Sequence, residues 1–275
     1  MNNPTCQAPV LIAVAPNGAR YTKNDHPALP ISARELATTA VDCAEAGAAM
    51  IHLHVRDENG QHSLEPSHYR PAIDAIQQAV GDAMLIQITS EAAGIYKPED
   101  QIRLLDKLQL SGLSVSIAVR EFFAGAGKAA SGFLGRLQQT GALIQYILYN
   151  RHDVRRYQQL LHAGIIPGGQ HFVLFVLGHY PHSSMQPESL NNFLSEFEVA
   201  VPWMACAFGS NAIELLSEAA ARGGHTRIGF ENGWLLPDRS IAPDNASLVR
   251  ALTTRITESG GEVARIAEFH SGLKT

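Results

Sequence analysis

ISARELATTAVDCAEAGAAMIHLH, Ile31–His54, is one complete helix-and-strand unit, and the rest of the chain repeats its plan. Ser32 followed three residues later by Glu35 makes a capping box, in which two side chains satisfy the first unpaired amides of a helix. The helix runs to about Ala46 and stops at Gly47, a residue that turns the chain at little steric cost. Met50–His54 then reads as a strand, apolar but for two histidines.

The same alternation spans the sequence. Val10–Ala15 reads as the first strand and Met50–His54 as the second. Ser67–Val80 is helical, Met84–Thr89 is the third strand, Pro98–Leu108 a helix with proline in its first turn, and Leu113–Ile117 the fourth strand. Ala142–Tyr149, His171–Leu177, Trp203–Ala207 and Thr226–Phe230 read as strands five to eight. Each is followed by a helix: Asp153–Ala163, Glu188–Phe197, Asn211–Arg222 and Asp244–Ser259. The Gly/Ala-rich stretch Ala124–Gly135 is expected to be a mobile loop. Apolar strands separated by helices predict a parallel sheet covered on both faces. Eight such units in 275 residues predict an α/β fold, one (β/α)8 TIM barrel spanning Met1–Thr275 as a single domain. Neither GxGxxG nor GxxxxGK[ST] is present, so a nucleotide-binding open sheet gains nothing.

Apolar residues make up 45% and charged residues 17%, enough for a large core and against disorder. A net charge of −5 gives no electrostatic reason to expect nucleic acid or an anionic membrane as partner. No basic-then-apolar leader is seen, and no run reaches the roughly 18 apolar residues of a membrane span. Cys6, Cys43 and Cys206 are isolated thiols, which predicts a reducing, cytoplasmic setting.

Chemistry in a barrel sits where the strands end. His52 and His54 stand at i and i+2, so both point to the barrel interior, where an unpaired imidazole is costly. Glu231 follows strand eight, which closure brings to within one strand of strand two. Two histidines and a glutamate with an open fourth position make a catalytic zinc pattern. Arg227, four residues before Glu231, faces the same side, either as an ion pair holding Glu231 or as a clamp for a substrate oxygen. Thr89 and Glu91 end strand three. Ser114 and Ser116 share a face of strand four, where they either bind a carboxylate or satisfy backbone. Ser210 and Asn211 open a helix whose first amides could hold an anion, and His179, after strand six, could reach the pocket. Lys23, Lys97, Lys107, Lys128 and Lys274 all lie away from strand ends, which disfavours Schiff-base chemistry and leaves metal activation of a carbonyl.

Four segments carry a family resemblance: PALPISARELATTAVDCAEAGAAMIHLHVRDENGQHS (Pro27–Ser63), LIQITSEAAG (Leu85–Gly94), FVLG (Phe175–Gly178) and GGHTRIGFENGWLLPDRSIAPDNASLV (Gly223–Val249). With them the chain resembles the β-keto acid cleavage enzymes over nearly its whole length. The resemblance implies a tetrameric (β/α)8 barrel with one Zn2+ per chain on His52, His54 and Glu231. It also implies a reaction in which a β-keto acid and acetyl-CoA give acetoacetate and a new CoA thioester. Thr89 and Ser114 stand where the family has serine and threonine at the substrate.

The chain departs from the family around the metal ligands. The family's general-base aspartate is Asn232, which cannot take a proton. Its substrate-binding glutamate after strand one is Arg20, and an acid after strand five is Asn150. Its arginine after strand seven is Ser210, and Leu-Asn-Phe after strand four is Arg120-Glu121-Phe122. These changes predict a pocket retuned toward a neutral or anionic substituent, with Glu91 as the base. The alternatives are a CoA-independent metal-dependent lyase or hydrolase on a small acid, and a non-catalytic metabolite-binding relic.

Overall fold

The strands close into an eight-stranded parallel barrel in the computed structural model, which describes residues 8–124, 127–179 and 188–268. In chain order the strands are β1 (Ile12–Val14), β2 (Met50–Leu53), a hairpin of β3 (Val55–Arg56) and β4 (His62–Ser63), then β5 (Leu85–Thr89), β6 (Ser114–Ala118), β7 (Leu143–Leu148), β8 (His171–Leu177), β9 (Trp203–Ala207) and β10 (His225–Ile228). The helices are α1 (Ala33–Glu45), α2 (Pro66–Val80), α3 (Pro98–Lys107), α4 (Val119–Phe122), α5 (Gly127–Gln139), α6 (Arg151–His162), α7 (Leu190–Glu196), α8 (Ala212–Ala221) and α9 (Asn245–Glu258). β1 pairs with both β2 and β10, which closes the ring and brings the end of β10 near the end of β2.

The two-residue period of each strand divides the core in two. Ile12, Ile51, Ile86 and Val115 join the helices in one buried cluster, outside the barrel. Leu11, Met50, Leu85, Leu143, Phe172 and Met204 form a second cluster, which plugs the N-terminal half of the interior. His52, Gln87, Thr89, Ser116 and Arg227 continue the inward-facing rows of their strands toward the C-terminal end. The capping box of α1 forms as its sequence dictates: Glu35 N donates to Ser32 Oγ and Ser32 N donates to Glu35 Oε2.

Three local features differ from the sequence reading. Most of the predicted loop Ala124–Gly135 belongs to α5, because Ala130, Phe133, Leu134 and Leu137 recur at helical spacing and are buried. The β3–β4 hairpin was not anticipated; Asp57 Oδ1 accepts from the amides of Asn59 and Gln61 to close its turn. The last strand ends at Ile228, before the expected Phe230, because Gly229 turns the chain at φ +146°. Cys43 and Cys206 are buried free thiols, and Cys6, His182 and Lys274 lie outside the described residues. Among those described, no helix is long and apolar enough to cross a membrane.

Gly229 also decides where the following residues go. A Cβ there would lie 2.3 Å from the Ala15 carbonyl oxygen, and Glu231 N donates to that same oxygen at 3.1 Å. Gly229→Ala is therefore expected to cost about 2–4 kcal/mol, through a left-handed φ and a clash with unyielding backbone. Urea unfolding measures this; a loss below about 1 kcal/mol would mean the turn tolerates a side chain.

Candidate metal centre and cavity

His52 and His54 point into the barrel mouth, with ring centroids 5.0 Å apart and Nε2 atoms 3.2 Å apart. Glu231 Oε2 lies 3.7 Å from His52 Nε2 and 3.5 Å from His54 Nε2. Tetrahedral ligand atoms at about 2.0–2.2 Å from an ion stand roughly 3.3 Å from one another. The three separations match the edges of such a face, so these residues can hold a metal ion. The buried donor set also suits one. Glu231 is 4% exposed, and although Arg227 meets its Oε1, its Oε2 has no hydrogen-bond partner among the described residues, a costly arrangement that a bound ion would relieve. Burial pushes Glu231 up, but Arg227 and then His52 outweigh it and hold the carboxyl well below its ordinary range. Arg227 Nη2 donates to Glu231 Oε1 at 3.0 Å, so the ion-pair role expected of Arg227 is the one seen.

The ring of His52 is fixed from behind. Its Nδ1–H donates to Gln87 Oε1 at 2.7 Å, Gln87 Nε2 donates to Ser114 Oγ at 3.1 Å, and Ser114 Oγ donates to the Leu143 carbonyl at 2.9 Å. The chain follows the sheet register, in which His52 pairs Gln87, Gln87 pairs Ser114, and Ser114 pairs Leu143. With Nδ1 committed as donor, Nε2 of His52 keeps its lone pair facing Glu231 and His54. Burial, then Arg227, hold the His52 pKa far below its usual value, which keeps the ring neutral. Ser114 is thus spent inside the barrel wall and does not line the cavity, contrary to its predicted place at the substrate.

A narrow cavity opens beside these groups. Ser116, Thr89, Glu91, Arg227 and Tyr149 all line it. Ser116 Oγ is buried there with no partner among the described residues. Thr89 Oγ1 accepts from the Glu91 amide at 3.1 Å, and His62 Nε2 donates to the Glu91 carbonyl at 2.9 Å. Glu91 Oε2 comes to 3.7 Å from His54 Nε2, and burial pushes its carboxyl above the ordinary range. Arg20 is exposed near the rim and electrostatically favours the Glu91 carboxylate. Asn150 is a correction: its side chain caps α6, accepting from Asp153 N at 2.9 Å, and Tyr149 beside it enters the cavity instead. Asn232 is 5% exposed, and neither its Oδ1 nor its Nδ2 has a partner among the described residues. His179 does not line the cavity.

Three contributors escaped the sequence reading. Gln87 had the inward parity of Thr89 as its only signal. His62 depends on the unanticipated hairpin, which sets its ring 5.2 Å from that of His54; burial, then His54, lowers its pKa to about 3. Tyr149 looked like the last residue of an apolar strand. Ser210 and Asn211 line a second, wider cleft together with Glu188 and Glu218, and Phe208 stands between that cleft and the cavity.

A family model described as beta-keto acid cleavage enzyme matches residues 9–274. The 3-keto-5-aminohexanoate cleavage enzyme of Acetoanaerobium sticklandii is 26% identical, over 94% of this chain and 96% of its own. The 3-oxoadipate:acetyl-CoA acetyltransferase of Cupriavidus necator is 24% identical, over 96% and 94%. Among solved structures, a ternary complex of ObcA with a C4-CoA adduct and oxalate superposes with a TM-score of 0.69 at 13% identity, over 90% of this chain and 68% of that one, a likeness of fold.

Proposed function

The chain belongs to the beta-keto acid cleavage enzyme family, and from that premise we propose a zinc-dependent, acetyl-CoA-dependent cleavage of a β-keto acid with altered specificity. The observation that carries it is the orphaned Glu231 Oε2 facing two imidazole nitrogens at the barrel mouth. His52, His54 and Glu231 would hold one Zn2+ per chain and leave a fourth position for substrate. The ion would polarise the keto and carboxylate oxygens and lower the cost of an enolate. Homotetrameric assembly and cytoplasmic residence belong to the same reading.

The protein's own residues supply the rest. Glu91, aimed into the cavity beside His54, takes a proton from the carbon between ketone and carboxylate. That carbon attacks the acetyl thioester, forming a C–C bond and releasing CoA thiolate. The thiolate attacks the original ketone carbon, the older C–C bond breaks, and Glu91 returns the proton, giving acetoacetate and the new acyl-CoA. Ser116 Oγ can donate a hydrogen bond to a substrate oxygen, and Arg227 keeps Glu231 in place while facing the cavity. Relatives act on a cationic keto acid and on a dicarboxylate. Here Arg20 and Asn150 replace acids expected at the substrate, which removes partners for an ammonium group.

Metal content and acetyl-CoA-dependent acetoacetate release from a panel of β-keto acids test the reading. About one zinc per chain with release that requires acetyl-CoA is expected. Consumption without acetyl-CoA would favour the CoA-independent lyase or hydrolase, and zinc with no turnover would favour the binding relic that Asn232 suggests. Gln87→Leu is expected to weaken zinc binding about 10–100-fold, because the His52 ring loses its fixed tautomer. Competition against a chelating dye reads this, and unchanged affinity would remove Gln87 from the site.

A further inference from the structure

The cavity wall is chemically divided. Among the described residues, the charged lining groups Glu91, Arg227 and Glu231 all lie on the side of the histidines, where they already engage one another or His54. The opposite wall is Ala118, Ile147, Val176 and Phe208, from the ends of β6, β7, β8 and β9. The first three are nearly inaccessible and form one apolar cluster, with Phe208 and Tyr149 packed on it. Tyr149 adds only a phenol, which burial keeps neutral by pushing its pKa up. The Arg120 guanidinium sits 3.6 Å from the centroid of the Tyr149 ring, outside the cavity lining, and Asn150 is turned away to cap α6.

From this division we infer that the acyl group transferred to CoA is a short, uncharged, aliphatic one, seated against Ala118, Ile147, Val176 and Phe208. The inference rests on the cleavage reading above for the orientation of the substrate, with ketone and carboxylate toward the histidines. A charged terminus on the tail would exchange water for methyl groups and find no partner among the described residues of that wall. An aliphatic tail would instead bury apolar surface. The cavity is narrow, so the tail is a few carbons long, and Tyr149 OH can meet at most one uncharged polar atom on it.

The test uses the zinc-loaded enzyme with 3-oxohexanoate, 3-oxoadipate and 5-amino-3-oxohexanoate, following formation of each acyl-CoA. kcat/KM for the neutral acid is expected to exceed that of each charged one at least about 100-fold. Comparable or better turnover of a charged acid overturns the inference and leaves the cleavage reading standing. Binding of the unreactive 3-hydroxy analogues, measured by calorimetry, separates the two ideas. If none of the keto acids is cleaved yet the neutral analogue binds at least about tenfold tighter than the charged ones, the pocket assignment holds and the cleavage reading falls. Equal binding of all three overturns the assignment. Ala118→Leu is further expected to lower the ratio of 3-oxohexanoate to 3-oxopentanoate turnover about tenfold by filling the tail wall, and an unchanged ratio would place the tail elsewhere.

Discussion

His54→Ala is expected to purify with little or no zinc and to lose acetoacetate-forming activity at least about a thousandfold. The expectation follows from how few groups share the work. The Nε2 atom of His54 is 3.2 Å from that of His52 and 3.5 Å from Glu231 Oε2, so it forms two of the three edges of the ligand face. Removing it leaves one imidazole and one carboxylate, too few protein ligands for a tightly held zinc ion. What remains is a buried carboxylate oxygen facing a void, with Arg227 on its other oxygen. His62→Ala is the matched control: its ring is 5.2 Å from that of His54, but its Nε2 is committed to the Glu91 carbonyl. That variant should keep its zinc. Elemental analysis with turnover decides the matter; near-normal zinc in His54→Ala would sink the proposed ligand set. Chelation of the native enzyme should reproduce the loss, and added zinc should reverse it.

The barrel was legible because burial on both faces leaves an unmistakable mark, apolar strands at regular intervals with helices between them. The ligand trio was legible for a related reason. His-x-His fixes two side chains to one face by the strand period alone, and barrel closure brings Glu231 to them whatever the details. Lateral neighbours were not legible, since register between strands is invisible within a strand. Ser114 looked free to reach substrate, but the partner strands place Gln87 on one side of it and the Leu143 carbonyl on the other. Asn150 looked like a substituted acid, but it also opens a helix, and its side chain serves the cap. Residues far apart in sequence were harder still. Asn17 donates to the carbonyls of Pro30 and His54, and Asn245 ties the Pro16 carbonyl to the amide of Phe230. These two asparagines join the loops that carry the proposed ligands, and nothing in their local sequence announces it.

Glu91→Gln is expected to lower kcat about 10²–10³-fold while zinc content and KM stay close to those of the native enzyme. The amide keeps the size and most of the hydrogen-bonding capacity of the carboxylate but cannot accept a proton. Glu91 is the group best placed for that task. It lines the cavity, its amide is tied to Thr89 Oγ1, its carbonyl to His62, and its side chain reaches within 3.7 Å of His54 Nε2. Burial raises its affinity for a proton, while His54 and then Arg20 at the rim pull the other way. Asn232, beside Glu231, has no basic atom to offer, so among the described residues lining the cavity no other carboxylate remains for the proton if Glu231 holds the metal. The proximity to His54 also creates a competing role, as a fourth ligand that would close the site. The two roles separate cleanly: a ligand would take zinc with it when substituted, and a base would not. Loss of zinc in Glu91→Gln would therefore reassign Glu91 to the metal, and near-complete retention of kcat with zinc in place would remove it from the chemistry.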